Sequence, residues 1–106
     1  VNKSRITIQQ AAKVLSVNPA KRFGLYPKKG LIRVGADADF TIVDLSAERK
    51  VSASNLHYKV GWTPYEGWTL RGWPTATIVR GQIVMQDGQI LAKEGSAQFV
   101  PMKMRD

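Results

Sequence analysis

A chain of 106 residues with 43% hydrophobic and 23% charged residues suits one small domain with a modest core, and disorder is not its default state. The absence of cysteine excludes a disulfide framework and any thiolate metal site, and suits a cytoplasmic protein. Sixteen Lys and Arg against eight Asp and Glu give a net charge of +8, but no basic run exceeds two residues, so a nucleic-acid footprint lacks the clustering it needs.

No apolar run approaches the ~20 residues needed to cross a bilayer, and the amphipathic segment after Val1-Asn2-Lys3-Ser4-Arg5 is no signal-peptide core. Val1 in place of an initiating Met fits a piece of a longer chain.

Thr7 with Gln10 is a capping-box pattern, followed by Ile8, Ala11, Ala12 and Leu15 at helical spacing. The spacing predicts a helix ending near Val17. A second helical turn is expected with Asn18 as its cap, Pro19 at its first position and Gly24 closing it in a left-handed conformation. Tyr26 to Gly30 reads as a turn, Leu31 to Val34 as a short strand, and Gly35 to Asp39 as a tight connection. Phe40 to Leu45 is a largely buried strand, Ser46 to Lys50 a polar loop, and Val51 to Val60 has no clear period.

Gly61 to Pro74 holds all three Trp residues and reads as a long ordered loop turning at Pro64-Tyr65-Glu66-Gly67, a length that implies a job or a partner. A meander follows: strands at Thr75 to Val79, Gln82 to Gln86 and Gln89 to Ala92, joined by the Arg80-Gly81 and Asp87-Gly88 turns. Ser96 to Asp106 reads as an irregular tail. The fold class is α+β, mostly β: short N-terminal helices, then a small antiparallel sheet of about five strands. So few strands leave exposed edges, which strands from an upstream segment would cover.

The residues that tempt a chemical reading each have a plainer one. Asp37 and Asp39 supply at most two of the six or more oxygens a calcium ion takes, and more simply bind backbone N–H groups in a turn. His57 is the single histidine, too few for a zinc site and without a nucleophile or orienting acid at a recognisable offset. Glu66 is either catalytic or the pin of its turn. Trp62, Tyr65, Trp68 and Trp73, interleaved with Lys59 and Arg71, form either a stacking platform for bases or, preferably, anchors on a hydrophobic partner surface. Gly81 and Gly88 are hairpin glycines and not a phosphate loop.

The stretch Asn18-Pro19-Ala20-Lys21-Arg22-Phe23-Gly24, continuing through Gly30-Leu31-Ile32-Arg33-Val34-Gly35-Ala36-Asp37-Ala38-Asp39-Phe40-Thr41-Ile42-Val43-Asp44, resembles the cyclic amidohydrolases. Those are the dihydroorotase, dihydropyrimidinase/hydantoinase and allantoinase families. Thr63-Pro64-Tyr65-Glu66-Gly67-Trp68-Thr69-Leu70-Arg71-Gly72 and Thr77-Ile78-Val79-Arg80-Gly81 extend the likeness, which runs from about Gln10 to Gly88. The hydantoinase pattern has an Asp-Tyr pair before the Pro-Tyr-Glu-Gly turn, where this chain has Gly61-Trp62.

The resemblance implies a metal-dependent (β/α)₈ barrel beside a small β-sandwich built from both chain ends. Residues 1–30 would be the helical tail of the barrel, 31–92 the C-terminal share of the sandwich, and 93–106 an irregular tail. It implies hydrolysis of a cyclic amide C–N bond at a binuclear zinc centre held by a His-x-His pair, a carboxylated Lys, two further His and an Asp. All of these would lie upstream, so no catalytic, cofactor-binding or metal residue is assigned to this chain. Its expected partners are the missing N-terminal strands and barrel of the same protein, in a homo-oligomer, with no membrane. A stand-alone basic β module for single-stranded nucleic acid and the tail of a non-catalytic amidohydrolase-like scaffold are the alternatives.

Overall fold

A computed structural model describes residues 1–103. The chain forms two compact units. The first holds Val1–Asp39, Val79–Gln82 and the chain from Lys93; the second holds Phe40–Ile78 and Ile83–Ala92.

In the first unit the backbone is helical without a break over residues 8–22: α1 (Ile8–Ala12), a π-helical turn (Lys13–Val17) and α2 (Asn18–Arg22). The capping box is present. Thr7 Oγ1 accepts from the Gln10 N–H at 3.1 Å, and Gln10 Oε1 accepts from the Thr7 N–H at 2.8 Å. Asn18 is not the cap that the sequence suggests. It is itself helical (φ −65°, ψ −46°), and its N–H reaches back five residues to the Lys13 carbonyl. Pro19 explains the wide turn. A proline inside a helix has no N–H to donate and crowds the carbonyl four residues earlier, here that of Leu15; a π turn relieves both without breaking the helix.

Gly24 closes the helix at φ +64°, with the Leu25 N–H bonded to the Ala20 carbonyl at 2.8 Å. The face expected to be buried is not: Ile8 is 43% and Leu15 79% exposed. Nor does Leu31 to Val34 form a strand. No described strand pairs with it, and Ile32 and Val34 stand 81% and 99% exposed.

The sheet has four strands in the order β1-β2-β3-β4: β1 (Phe40–Lys50), β2 (Thr69–Val79), β3 (Gln82–Gln86) and β4 (Gln89–Ile90). β1 pairs antiparallel with β2, from Phe40 opposite Ile78 to Lys50 opposite Thr69. Two expected loop segments are therefore strand. Residues 46–50 complete β1 and residues 69–74 begin β2, because the irregularities that read as loop are absorbed as bulges.

The first bulge puts Leu45, Ser46 and Ala47 opposite Gly72 alone. Asp44 holds it: one carboxylate oxygen takes the Ser46 N–H (2.8 Å), the Ser46 hydroxyl (2.6 Å) and the Ala47 N–H (3.1 Å). The second puts Thr75 as an extra residue in β2 beside Pro74. β2 lies between two strands, and a proline there lacks a ladder donor, so it belongs at a bulge.

Both hairpin turns carry two consecutive positive φ angles, Arg80 (49°) with Gly81 (79°) and Asp87 (48°) with Gly88 (82°). That is the type I′ signature of two-residue hairpins.

Among the described residues the buried apolar side chains are Ala20 in the first unit and Val51 in the second, each 5% exposed. β1 is an edge strand, and Ile42 (51%), Val43 (43%) and Leu45 (55%) are open to solvent. Successive strand residues point to opposite faces, so Ile42 and Val43 expose apolar surface on both.

Gly30 has φ +91°, and a Cβ there would lie 2.5 Å from the Ala20 Cβ. Gly35 has φ +88° with nothing within 4 Å. Gly30→Ala is expected to cost about 2–4 kcal/mol, from backbone strain plus overpacking, and Gly35→Ala only the strain of about 1–2 kcal/mol. Urea denaturation of the two variants checks the difference.

Candidate functional site

The densest polar cluster lies in the first unit. Lys29 sits between two carboxylates: its ammonium is 2.8 Å from Asp37 Oδ2 and forms an ion pair with Asp39 Oδ2. Lys29 and Asp37 side chains are each 19% exposed and Asp39 33%. The Asp37 contact is electrostatic rather than an aligned hydrogen bond. The other Asp39 oxygen accepts the Arg80 N–H at 2.9 Å, and the Gly81 N–H donates to the Ala38 carbonyl at 2.9 Å. The outward N–H groups of the β2–β3 turn are thus satisfied by residues 38 and 39, and the Arg80 guanidinium donates to the Ser96 carbonyl at 2.7 Å.

Burial works against both charges, but the pairing outweighs it. Burial pulls the Lys29 ammonium down, while its ion pairs with the Asp37 and Asp39 carboxylates hold it above its ordinary value. Burial pushes the Asp39 carboxyl up, while Lys29, the Arg80 N–H and the Arg80 charge hold it below. With its carboxylates engaged by a lysine, this cluster is a structural clasp and offers no open cation site.

In the second unit Glu66 accepts the Ala53 N–H at 2.7 Å, at the head of a 3₁₀ turn (Ala53–Asn55). That bond, the Ser52 hydroxyl and the Lys50 charge hold its carboxyl below its usual value against a small opposing effect of burial. Glu66 acts as the pin of a loop. The Gly67 N–H bonds the Val51 carbonyl at 2.9 Å, the Val51 N–H bonds the Trp68 carbonyl at 2.8 Å, and the Tyr58 hydroxyl donates to the Trp62 carbonyl at 2.9 Å. Tyr65 and Trp68 meet edge-to-face with centroids 5.4 Å apart, while Trp73 lies in β2, apart from that loop in sequence.

An open groove of about 480 Å³ runs between Arg49, Lys50, Ser54, Asn55, His57 and Trp73, with Asp44 and Asp87 also on its lining. Asp44 already spends an oxygen on the bulge. Among the described residues no hydrogen bond joins His57 to an acid or hydroxyl, so no nucleophile–base pair is assembled there. Among the described residues no three His, Cys, Asp or Glu side chains converge on a point. The donors among the described residues do not fit a binuclear zinc centre. Among the described residues no helix is long and apolar enough to cross a membrane.

Sequence reading singled out Asp37, Asp39 and Glu66 but missed Lys29 and Asp44. The Asp44-x-Ser46 spacing was the available signal for the second; no local pattern marks the first.

With this geometry in view, the amidohydrolase family matches residues 2–84. The chain belongs to the amidohydrolase family. It is 45% identical over 100 residues to a D-hydantoinase of Geobacillus stearothermophilus, with 94% of this chain and 21% of that one aligned. It is also 45% identical over 100 residues to a dihydroorotase of Pyrococcus furiosus, covering 94% and 24%. In three dimensions it superposes on an L-hydantoinase (dihydropyrimidinase) from Arthrobacter aurescens with a TM-score of 0.89 and 40% identity, covering 92% of this chain and 22% of that one. The chain therefore spans between a fifth and a quarter of the length of these amidohydrolases.

The clasp sets a testable pH window. Asp39, held low, contributes stability above its unfolded value near 3.8 and loses it as pH falls through its lowered value. Lys29, held high, contributes below 10.5 and loses it as pH rises through its raised value. Asp39→Ala is expected to cost about 1–2 kcal/mol, discounted for partial exposure, and Asp39→Asn less because its oxygen still accepts the Arg80 N–H. Urea denaturation from pH 3 to 8 should show the acid-side loss of stability flattened in both variants.

Proposed function

We propose that this chain is the C-terminal, non-catalytic share of a metal-dependent cyclic amidohydrolase that opens a cyclic amide C–N bond. The observation that carries the proposal is the alignment of 94% of the chain, at 45% identity, with about a fifth to a quarter of a D-hydantoinase and a dihydroorotase. The parent protein would hold a binuclear zinc centre, which supplies an activated hydroxide and polarises the amide carbonyl. No residue of the present chain is assigned to that centre. Asp39 and Glu66 each hold a backbone N–H of a turn and Asp37 pairs with Lys29 instead of the backbone, which supports an architectural role.

On this reading residues 1–30 are the helical tail of the barrel, residues 31–92 the C-terminal share of a β-sandwich completed by N-terminal strands, and residues from 93 a tail. The open edge and two apolar faces of β1 are where those strands would lie. A cytoplasmic homo-oligomer is part of the same proposal.

The test is turnover by the full-length protein and by the 106-residue chain on a hydantoin, a dihydropyrimidine, dihydroorotate and allantoin. The full-length protein is expected to open at least one ring, to lose that activity on chelation and to recover it with zinc, while the 106-residue chain does nothing. A full-length protein without metal-dependent ring opening would indicate a scaffold, and turnover by the short chain alone would contradict the assignment of no catalytic residue.

A further inference from the structure

We infer that Asp87-Gly88, the β3–β4 turn, is a site of covalent rearrangement, at which the aspartate converts to isoaspartate through a cyclic imide. That chemistry needs a carboxyl carbon, the amide nitrogen of the next residue and little bulk beside that nitrogen. Asp87 precedes Gly88, whereas Asp37, Asp39 and Asp44 precede Ala38, Phe40 and Leu45. Glycine has no Cβ to obstruct the attack, and the place a Cβ on Gly88 would take has nothing within 4 Å.

Both reacting groups are also unengaged. Asp37 and Asp39 pair with Lys29, and Asp44 accepts the Ser46 and Ala47 N–H groups. Among the described residues no hydrogen bond or ion pair engages the Asp87 carboxylate. The two hairpin turns share one backbone form but differ at the glycine amide. The Gly81 N–H donates to the Ala38 carbonyl at 2.9 Å, while among the described residues the Gly88 N–H donates to no acceptor.

Ring closure requires rotation about the Asp87 Cα–C bond, out of the type I′ conformation, so the turn must open. The Asp87 N–H, bonded to the Thr75 carbonyl at 2.8 Å, anchors the side before that bond, and the opening falls on the Gly88 side. There the ladder is short. β4 pairs only Gln89 with Gln86 and Ile90 with Met85, and the Leu91 and Ala92 N–H groups share the single Val84 carbonyl at 2.9 and 3.2 Å. So few bonds make a local opening cheap, and it releases Asp87 from the left-handed φ of 48°.

In the opened turn the Gly88 nitrogen bonds to the Asp87 carboxyl carbon. The carboxyl C–O bond breaks, and its hydroxyl leaves as water with the amide proton. Water then adds to one of the two imide carbonyls and breaks that carbon's bond to nitrogen. Addition at the carbonyl carbon of the side chain restores aspartate. Addition at the main-chain carbonyl leaves the chain running through the Asp87 side chain, one carbon longer. A two-residue turn fixes the register of its strands, so the added carbon unpairs β4 from β3.

The experiment incubates the native gene product for several weeks at neutral pH and body temperature in heavy-oxygen water, then maps isoaspartate by electron-transfer mass spectrometry. Isoaspartate is expected at position 87, several-fold above positions 37, 39 and 44, with one heavy oxygen per event. Asp87→Asn keeps a residue the turn accepts and loses ammonia instead of water, so it should convert several-fold faster. Asp87→Glu, which would need a six-membered ring, should remove the product. Equal conversion at all four aspartates overturns the inference, because the reaction then follows general unfolding. No conversion in the protein, while a peptide of residues 85–90 converts, overturns it by showing that the fold keeps the turn shut. No conversion of Asp87→Asn overturns it as well. None of these outcomes depends on whether the protein opens a cyclic amide.

Discussion

An edge strand with apolar side chains on both faces cannot be at rest in water. β1 has one neighbour, β2, and its other edge meets no described strand. Ile42 and Val43 leave the backbone on opposite sides, and both stay roughly half exposed. The same pattern recurs in the first unit, where Leu15, Ile32 and Val34 are largely exposed. Hydrophobic burial is the main favourable term in folding, and these side chains leave part of it unrealised.

What the chain does supply is local order. Polar side chains hold each irregular point: Asp44 the bulge of β1, Glu66 the aromatic loop, Asp39 the backbone of the β2–β3 turn. Each takes one or more backbone N–H groups that regular secondary structure would leave unpaired. This use of carboxylates explains why acids that look available for chemistry are not available. It also fits a family in which the covered region is a small share of the enzyme.

Local rules were legible where they were complete in sequence. The Thr7–Gln10 box and the Arg80-Gly81 and Asp87-Gly88 turns are decided by neighbouring residues, and they form as read. The family was legible too, from the stretches around Asp37-Ala38-Asp39 and Pro64-Tyr65-Glu66-Gly67. Features that depend on distant partners were not. Residues 46–50 look like a loop because Ser46 and Ala47 break the alternation, yet a bulge opposite Gly72 keeps the ladder going. Leu31 to Val34 looks like a strand by composition, but a strand exists only where another pairs with it. Pro19 looks like a helix start, and only continuous helix with a wide turn shows that it sits inside one. Lys29 carries no local mark because its partners lie eight and ten residues away.

The central claim is that this sequence is one part of a longer amidohydrolase whose chemistry resides elsewhere. The most direct test is the intact mass of the native gene product, with sequencing of whatever precedes Val1. The account predicts a product several times longer, with a His-x-His pair, a later Lys and two further His ahead of this region. A native product that begins at Val1 would contradict it.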